Sequence, residues 1–137
     1  MVKKIEWSDI GANAGSPILS PAVVTSKSDN LVFTSGCVGT DPTTDALPED
    51  LEQQTRNAIL NLRNVLAASG SSLDHVVKVL LFVSDSAHAK IVNKVYQEFF
   101  PGKPARSCIV VAFPNTALKI ELECVAEVPA KRRWLKL

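Results

Sequence analysis

The chain has 137 residues and a mass of 14.8 kDa, enough for one domain, 1–137, that buries roughly two thirds of its unfolded surface without staples. Hydrophobic residues make up 46% and charged residues 21%, which excludes the composition of a disordered segment. Fifteen Lys and Arg against fourteen Asp and Glu leave a formal charge of +1, so no basic field argues for nucleic acid as a partner.

Lys3 and Lys4 lead into Ile5, Glu6, Trp7, Ser8 and Asp9 rather than an apolar run, so the start does not read as a secretory signal; a short strand is expected around 4–7. Val23 to Ser26, a turn at Ser28-Asp29-Asn30 and Leu31 to Thr34 read as a β-hairpin. Gly36 and Gly39 loosen the chain, and turn formers from Thr40 to Leu47 make a loop. From Pro48 the period changes: Leu51, Thr55, Ala58, Ile59, Leu62, Val65 and Leu66 recur at helical steps, predicting an amphipathic helix over about 49–69 with Gly70 at its C′ position. Val76 to Val83 is apolar except for Lys78, as a strand buried on both faces would be. A second helix, capped by Ser84 or Ser86, carries the stripe Ala89, Val92, Val95, Tyr96, Phe99 and Phe100 and stops at Pro101-Gly102. Two late strands, Ala105 to Phe113 and Leu118 to Val128, joined through Pro114-Asn115-Thr116, read as a second hairpin.

The order β-β-α-β-α-β-β predicts an α+β domain with two helices on one face of a sheet. A domain this small cannot cover the other apolar face by itself, so packing between copies of the chain is expected. Val79 to Val83 is too short an apolar run to span a bilayer, which excludes membrane insertion through a helix. Cys37, Cys108 and Cys124 are odd in number and widely spaced, matching neither a disulfide framework nor a zinc site. A cytoplasmic protein with reduced thiols is expected, the mitochondrion and peroxisome being the alternatives. The peroxisome enters because the basic tail ends in Leu135-Lys136-Leu137, a partial match to a peroxisomal address.

The sequence holds no metal-ligand spacing, phosphate-cradling glycine loop or serine elbow. Glu121 and Glu123 share one face of the last strand, while Arg106 and Cys108 share a face of the strand before it. In a hairpin Arg106 and Glu121 need not touch within one subunit, so their meeting calls for a neighbouring chain. A paired or solvated sheet face is the plainer reading of these charges, and a core thiol the plainer reading of Cys108, because neither His75 nor His88 is placed as its base.

Lys103-Pro104-Ala105-Arg106-Ser107-Cys108, Phe113-Pro114 and Ile120-Glu121-Leu122-Glu123 together resemble the C-terminal signature of the Rid family, also called YjgF or L-PSP proteins. The resemblance extends to Asn30–Gly36, Asn61–Ala68, Ser72-Leu73-Asp74 and Asn93–Phe100. It implies a chorismate-mutase-like fold assembled as a homotrimer, with an inner barrel of sheets and clefts between subunits. The implied activity is hydrolysis of reactive imines or enamines such as 2-aminoacrylate to 2-oxo acids and ammonia, without metal or organic cofactor. Carried over residue by residue, Arg106 matches the clamp on the substrate carboxylate and Glu121 the acid that activates water. Cys108, Gly36, Asn93 and Phe113 fall in the substrate-binding set, with Asn93 expected across the interface. Ser20-Pro21-Ala22 departs from the family, since a tyrosine often stands at the third place, and Cys37 stands where glutamine is common. The alternatives to an imine deaminase are a trimeric small-carboxylate-binding or regulatory protein without turnover and, more remotely, a ribonuclease or translation inhibitor.

Overall fold

The structure, a computed structural model, describes residues 3–11, 20–25 and 30–130. Ser26, the turn residues Ser28 and Asp29, and the tail Lys131–Leu137 with its expected address lie outside the described residues. Strands β1 (Lys3–Ile5), β2 (Ala22–Val24) and β3 (Leu31–Thr34) form an antiparallel run, and β1 leads into a 3₁₀ turn, Trp7–Ile10. Next come the two-residue β4 (Cys37–Val38), helix α1 (Leu51–Ala68), β5 (Val76–Val83), helix α2 (Ala89–Phe99), β6 (Ala105–Val110) and β7 (Ile120–Glu127).

The boundaries of α1 follow from its ends. Asp50 caps it, its carboxylate accepting the Gln53 N–H at 2.8 Å. At the other end Gly70, at φ 81°, takes the left-handed position, and the Ser71 N–H reaches back to the Leu66 carbonyl at 2.8 Å, a Schellman closure. Asp50→Ala is expected to destabilise the fold by about 1 kcal/mol, read as a lower denaturant midpoint with an unchanged m value at fixed protein concentration. Neither flanking serine caps α2: the Asp85 carboxylate accepts the Ala87 N–H and caps a 3₁₀ turn, Ser86–His88, that runs into the helix, and His88, at the N-cap position of α2 itself, makes no side-chain cap bond.

The late strands correct the expectation most. β6 and β7 do not form a hairpin: the sheet order is β1-β2-β3-β7-β5-β6, with β4 also on β7. β5 lies between them, antiparallel to β7 and parallel to β6, so β5-α2-β6 is a crossover unit. The physical reason is that β5, the most apolar strand, takes the position with a neighbour on each side. β6 is left at the edge, and ends at Val110 rather than Phe113.

One face of the sheet makes the core. Val79, Leu81 and Val83 of β5 and Ile120, Leu122 and Ala126 of β7 are buried with Ile59, Leu62 and Leu66 of α1 and Val92 and Val95 of α2. The two helices are tied by Arg56, which pairs with Glu52 of its own helix and Glu98 of α2. Gln54, fully buried, donates to the Pro48 and Ala117 carbonyls and accepts the Lys119 N–H, so α1 anchors the segment that enters β7. The other face is open in the single chain: Phe33 is 46% and Ile109 45% exposed.

Candidate functional site

The sheet register decides which chemistry can meet. In β6, Arg106 lies beside Val79 and Cys108 beside Leu81, so both face the helices, whereas Ser107 and Ile109 pair with Leu80 and Phe82 on the open face. In β7, Glu121 lies beside Phe82 and Glu123 beside Leu80, also on the open face. Arg106 and Glu121 therefore belong to opposite faces of one sheet, and the structure does not bring them together within a chain.

On the helix side, Arg106 borders a groove of about 530 Å³ with Asn93, Tyr96, Gln97, Phe100 and Lys103. Its guanidinium carbon stands 4.7 Å from the centroid of the Tyr96 ring, and that ring stacks on Phe100 at 4.4 Å between centroids and 23° between planes. Among the described residues no carboxylate pairs with Arg106, and none lines the groove. Burial pushes the Tyr96 hydroxyl above its ordinary range, partly offset by the positive charge of Arg106. Asn93, expected across an interface, shares this groove with Arg106 in the same chain. Cys108 follows two residues on, exposed and unpaired. Phe113 is half-buried in the loop beyond β6 and does not line the groove.

On the open side, the Glu121 carboxylate lies against Gly36, where a Cβ would collide with it. Burial pushes the Glu121 carboxyl above the usual glutamate range, and the negative charge of Glu123 adds to the shift. β4 holds Gly36 in place by pairing Cys37 with Leu122 and Val38 with Glu121. Helix α1 fastens this segment from behind: Asn61 Nδ2 donates to the Val38 and Thr40 carbonyls, both at 2.9 Å, and Asn57 Nδ2 to the Gly39 carbonyl at 3.2 Å. Gly36 also borders a separate cavity of about 380 Å³ with Trp7, Asn61 and Asn64. The Cys37 and Cys124 thiols are buried and pushed up to about 12, chiefly by that burial, so neither is a nucleophile at neutral pH.

Tyr96, Lys103, Asn57 and Asn61 were not among the site residues expected from sequence. For Tyr96 a signal existed, because a helix that crosses between two parallel strands must lie on their sheet, and Asn93 and Tyr96 are one turn apart at the end approaching β6. Among the described residues no group of three His, Cys, Asp or Glu could hold a metal ion, and no helix is long and apolar enough to cross a membrane.

A sequence model described as endoribonuclease L-PSP matches residues 18–128. Reactive Intermediate Deaminase A, chloroplastic, of Arabidopsis thaliana is 40% identical over 110 residues, 79% of this chain and 59% of that protein. The chain thus spans about three fifths of the length of that plant relative. The 2-iminobutanoate/2-iminopropanoate deaminase of Salmonella typhimurium is 37% identical over 101 residues, 71% of this chain and 79% of that protein. Among solved structures, E. coli TdcF with bound serine superposes with a TM-score of 0.78 at 29% identity, covering 91% of this chain and 98% of that one.

Proposed function

Because the chain belongs to the Rid (YjgF, L-PSP) family, we propose that it hydrolyses reactive 2-imino and enamine acids of the 2-aminoacrylate kind to 2-oxo acids and ammonia. The observation that carries this reading is the Arg106 guanidinium, presented in an acid-free groove with no carboxylate partner among the described residues. Such a group suits a bidentate grip on a small acid. The serine bound to E. coli TdcF carries a carboxylate of that kind, and two of the relatives are named for imine or reactive-intermediate deamination.

In the proposed reaction Glu121 accepts a proton from a water whose oxygen bonds to the imine carbon. Glu121 then returns that proton to the amino nitrogen of the carbinolamine, and as the C–N bond breaks the hydroxyl gives up its proton to the departing ammonia and becomes the carbonyl, leaving the 2-oxo acid. Arg106 holds the carboxylate throughout, with Asn93 lining its groove and Cys108 on the same face of β6.

Since Arg106 and Glu121 occupy opposite faces of one sheet, the complete site is proposed to form between copies of the chain, Arg106 from one and the Gly36–Glu121 pair from the next. A homotrimer with a chorismate-mutase-like fold and an inner barrel would supply three such seams. The exposed Phe33 and Ile109 on the open face, and the edge position of β6, support closure by copies. Cytoplasmic residence is also part of the proposal.

The test couples a serine dehydratase, which releases 2-aminoacrylate, to the purified protein and follows pyruvate formation, with sedimentation run in parallel. We expect faster pyruvate release and a trimer in the parent. Ile109→Glu, which puts a charge on the open face, is expected to dissociate the assembly and abolish the acceleration. An assembled protein that leaves the spontaneous rate unchanged would overturn the hydrolase. Calorimetric binding of 2-oxobutanoate in that case would favour the carboxylate-binding alternative, motivated by Ala22, a buried residue of β2 at the place where the family resemblance implies a tyrosine.

A further inference from the structure

We propose that Tyr96 is a positioning residue, whose ring face holds the Arg106 guanidinium in the orientation that receives a ligand's carboxylate. The inference rests on the reading of Arg106 as the carboxylate clamp. The Arg106 guanidinium stands 4.7 Å over the Tyr96 ring, and Phe100 backs that ring at 4.4 Å. The ring itself cannot drift, because Tyr96 is 7% and Phe100 3% exposed in the core formed with Val92 and Val95.

Arg106 has no ion pair among the described residues to fix its fork. A long side chain without such a partner samples many rotamers, and each must be frozen out when a ligand binds. Contact with a flat, immobile aromatic face narrows that set beforehand while leaving the edge N–H groups of the guanidinium free to donate. Tyr96 Oη is the one buried side-chain oxygen or nitrogen among the described residues without a hydrogen-bond partner. An orphan hydroxyl gives the core nothing, so the π face is the part of Tyr96 that acts on Arg106.

The experiment measures binding of the non-reacting carboxylate 2-oxobutanoate by calorimetry, together with KM and kcat for imine hydrolysis. The proteins are the parent, Tyr96→Phe, Tyr96→Leu, Tyr96→Met, Arg106→Ala and the double variant Tyr96→Leu/Arg106→Ala, each checked by thermal unfolding. Tyr96→Phe keeps the face and is expected to bind within about threefold of the parent, with equal or greater stability. Tyr96→Leu and Tyr96→Met, the latter with an unbranched, adaptable chain that fills irregular space differently, both lose the face and are expected to raise Kd and KM by about three- to thirtyfold with kcat little changed. In the Arg106→Ala background, Tyr96→Leu should add nothing further.

Parent-like binding by folded Tyr96→Leu or Tyr96→Met would overturn the inference, as would an equal loss with and without Arg106, since that is what a merely structural ring would give. Failure of the clamp reading is separable: Arg106→Ala would then bind as tightly as the parent, and the positioning role would fall with it.

Discussion

Arg106→Ala is expected to lower kcat/KM for a 2-imino acid by roughly 30-fold to several thousand-fold, corresponding to about 2 to 5 kcal/mol for the loss of one member of a desolvated, charge-assisted pair. Most of the loss should appear in KM, because the carboxylate is gripped equally before and during reaction at the imine carbon. Stability should change little: Arg106 has no ion pair among the described residues to lose, only its contact with the Tyr96 ring. Arg106→Lys should fall between, since an ammonium replaces the planar fork with a point charge that cannot bind a carboxylate bidentately or lie flat on the ring. Steady-state kinetics with imine generated in situ decide the matter, and an Arg106→Ala protein as active as the parent would remove the assignment.

How much of this arrangement could be read beforehand depended on how local its cause is. Helix α1 was legible because its signals are local: the three-and-four spacing of Leu51 to Leu66, an acidic first turn and a glycine just past the end. The two-residue β4 was not, because nothing in Cys37-Val38 is strand-like by itself. It exists through pairing with β7 and through Asn57 and Asn61, side chains on a helix that sequence periodicity counts merely as polar. The hairpin expected from Pro114-Asn115-Thr116 failed for a related reason. Turn residues say that the chain reverses; they do not say which strand receives it, and β5 displaced β6 from the place beside β7.

For the site, the alternation in the last strand correctly grouped Glu121 with Glu123, and that of the preceding strand grouped Arg106 with Cys108. Only the register against β5 could reveal that these groups face opposite ways. Tyr96 is instructive in the same sense. As a member of an apolar stripe it read as core, and it is core, yet its ring also meets Arg106 on the next strand.

Glu121→Gln is expected to reduce kcat by about 10²- to 10⁴-fold, the usual contribution of a positioned proton acceptor, while leaving 2-oxobutanoate binding through Arg106 near the parent value. The substitution preserves shape, so the amide should fit against Gly36 as the carboxylate does, and the loss reports chemistry rather than displacement. The shift of Glu121 adds two pH signatures. Only the ionised carboxylate can accept a proton from water, so turnover in the parent should fall as pH drops through a value above the usual glutamate range. Glu123→Gln, by removing the neighbouring negative charge, should move that acid limb to lower pH.

Stability runs the other way. A carboxyl whose pKa is raised by folding stabilises the native state while protonated, and loses that contribution as pH rises from its unfolded value through its folded one. The parent and Glu121→Gln should therefore unfold alike in acid, and the glutamine protein should be at least as stable at neutral pH. The opposing effects are what a base held partly out of water predicts, and an equally active Glu121→Gln protein would exclude that role.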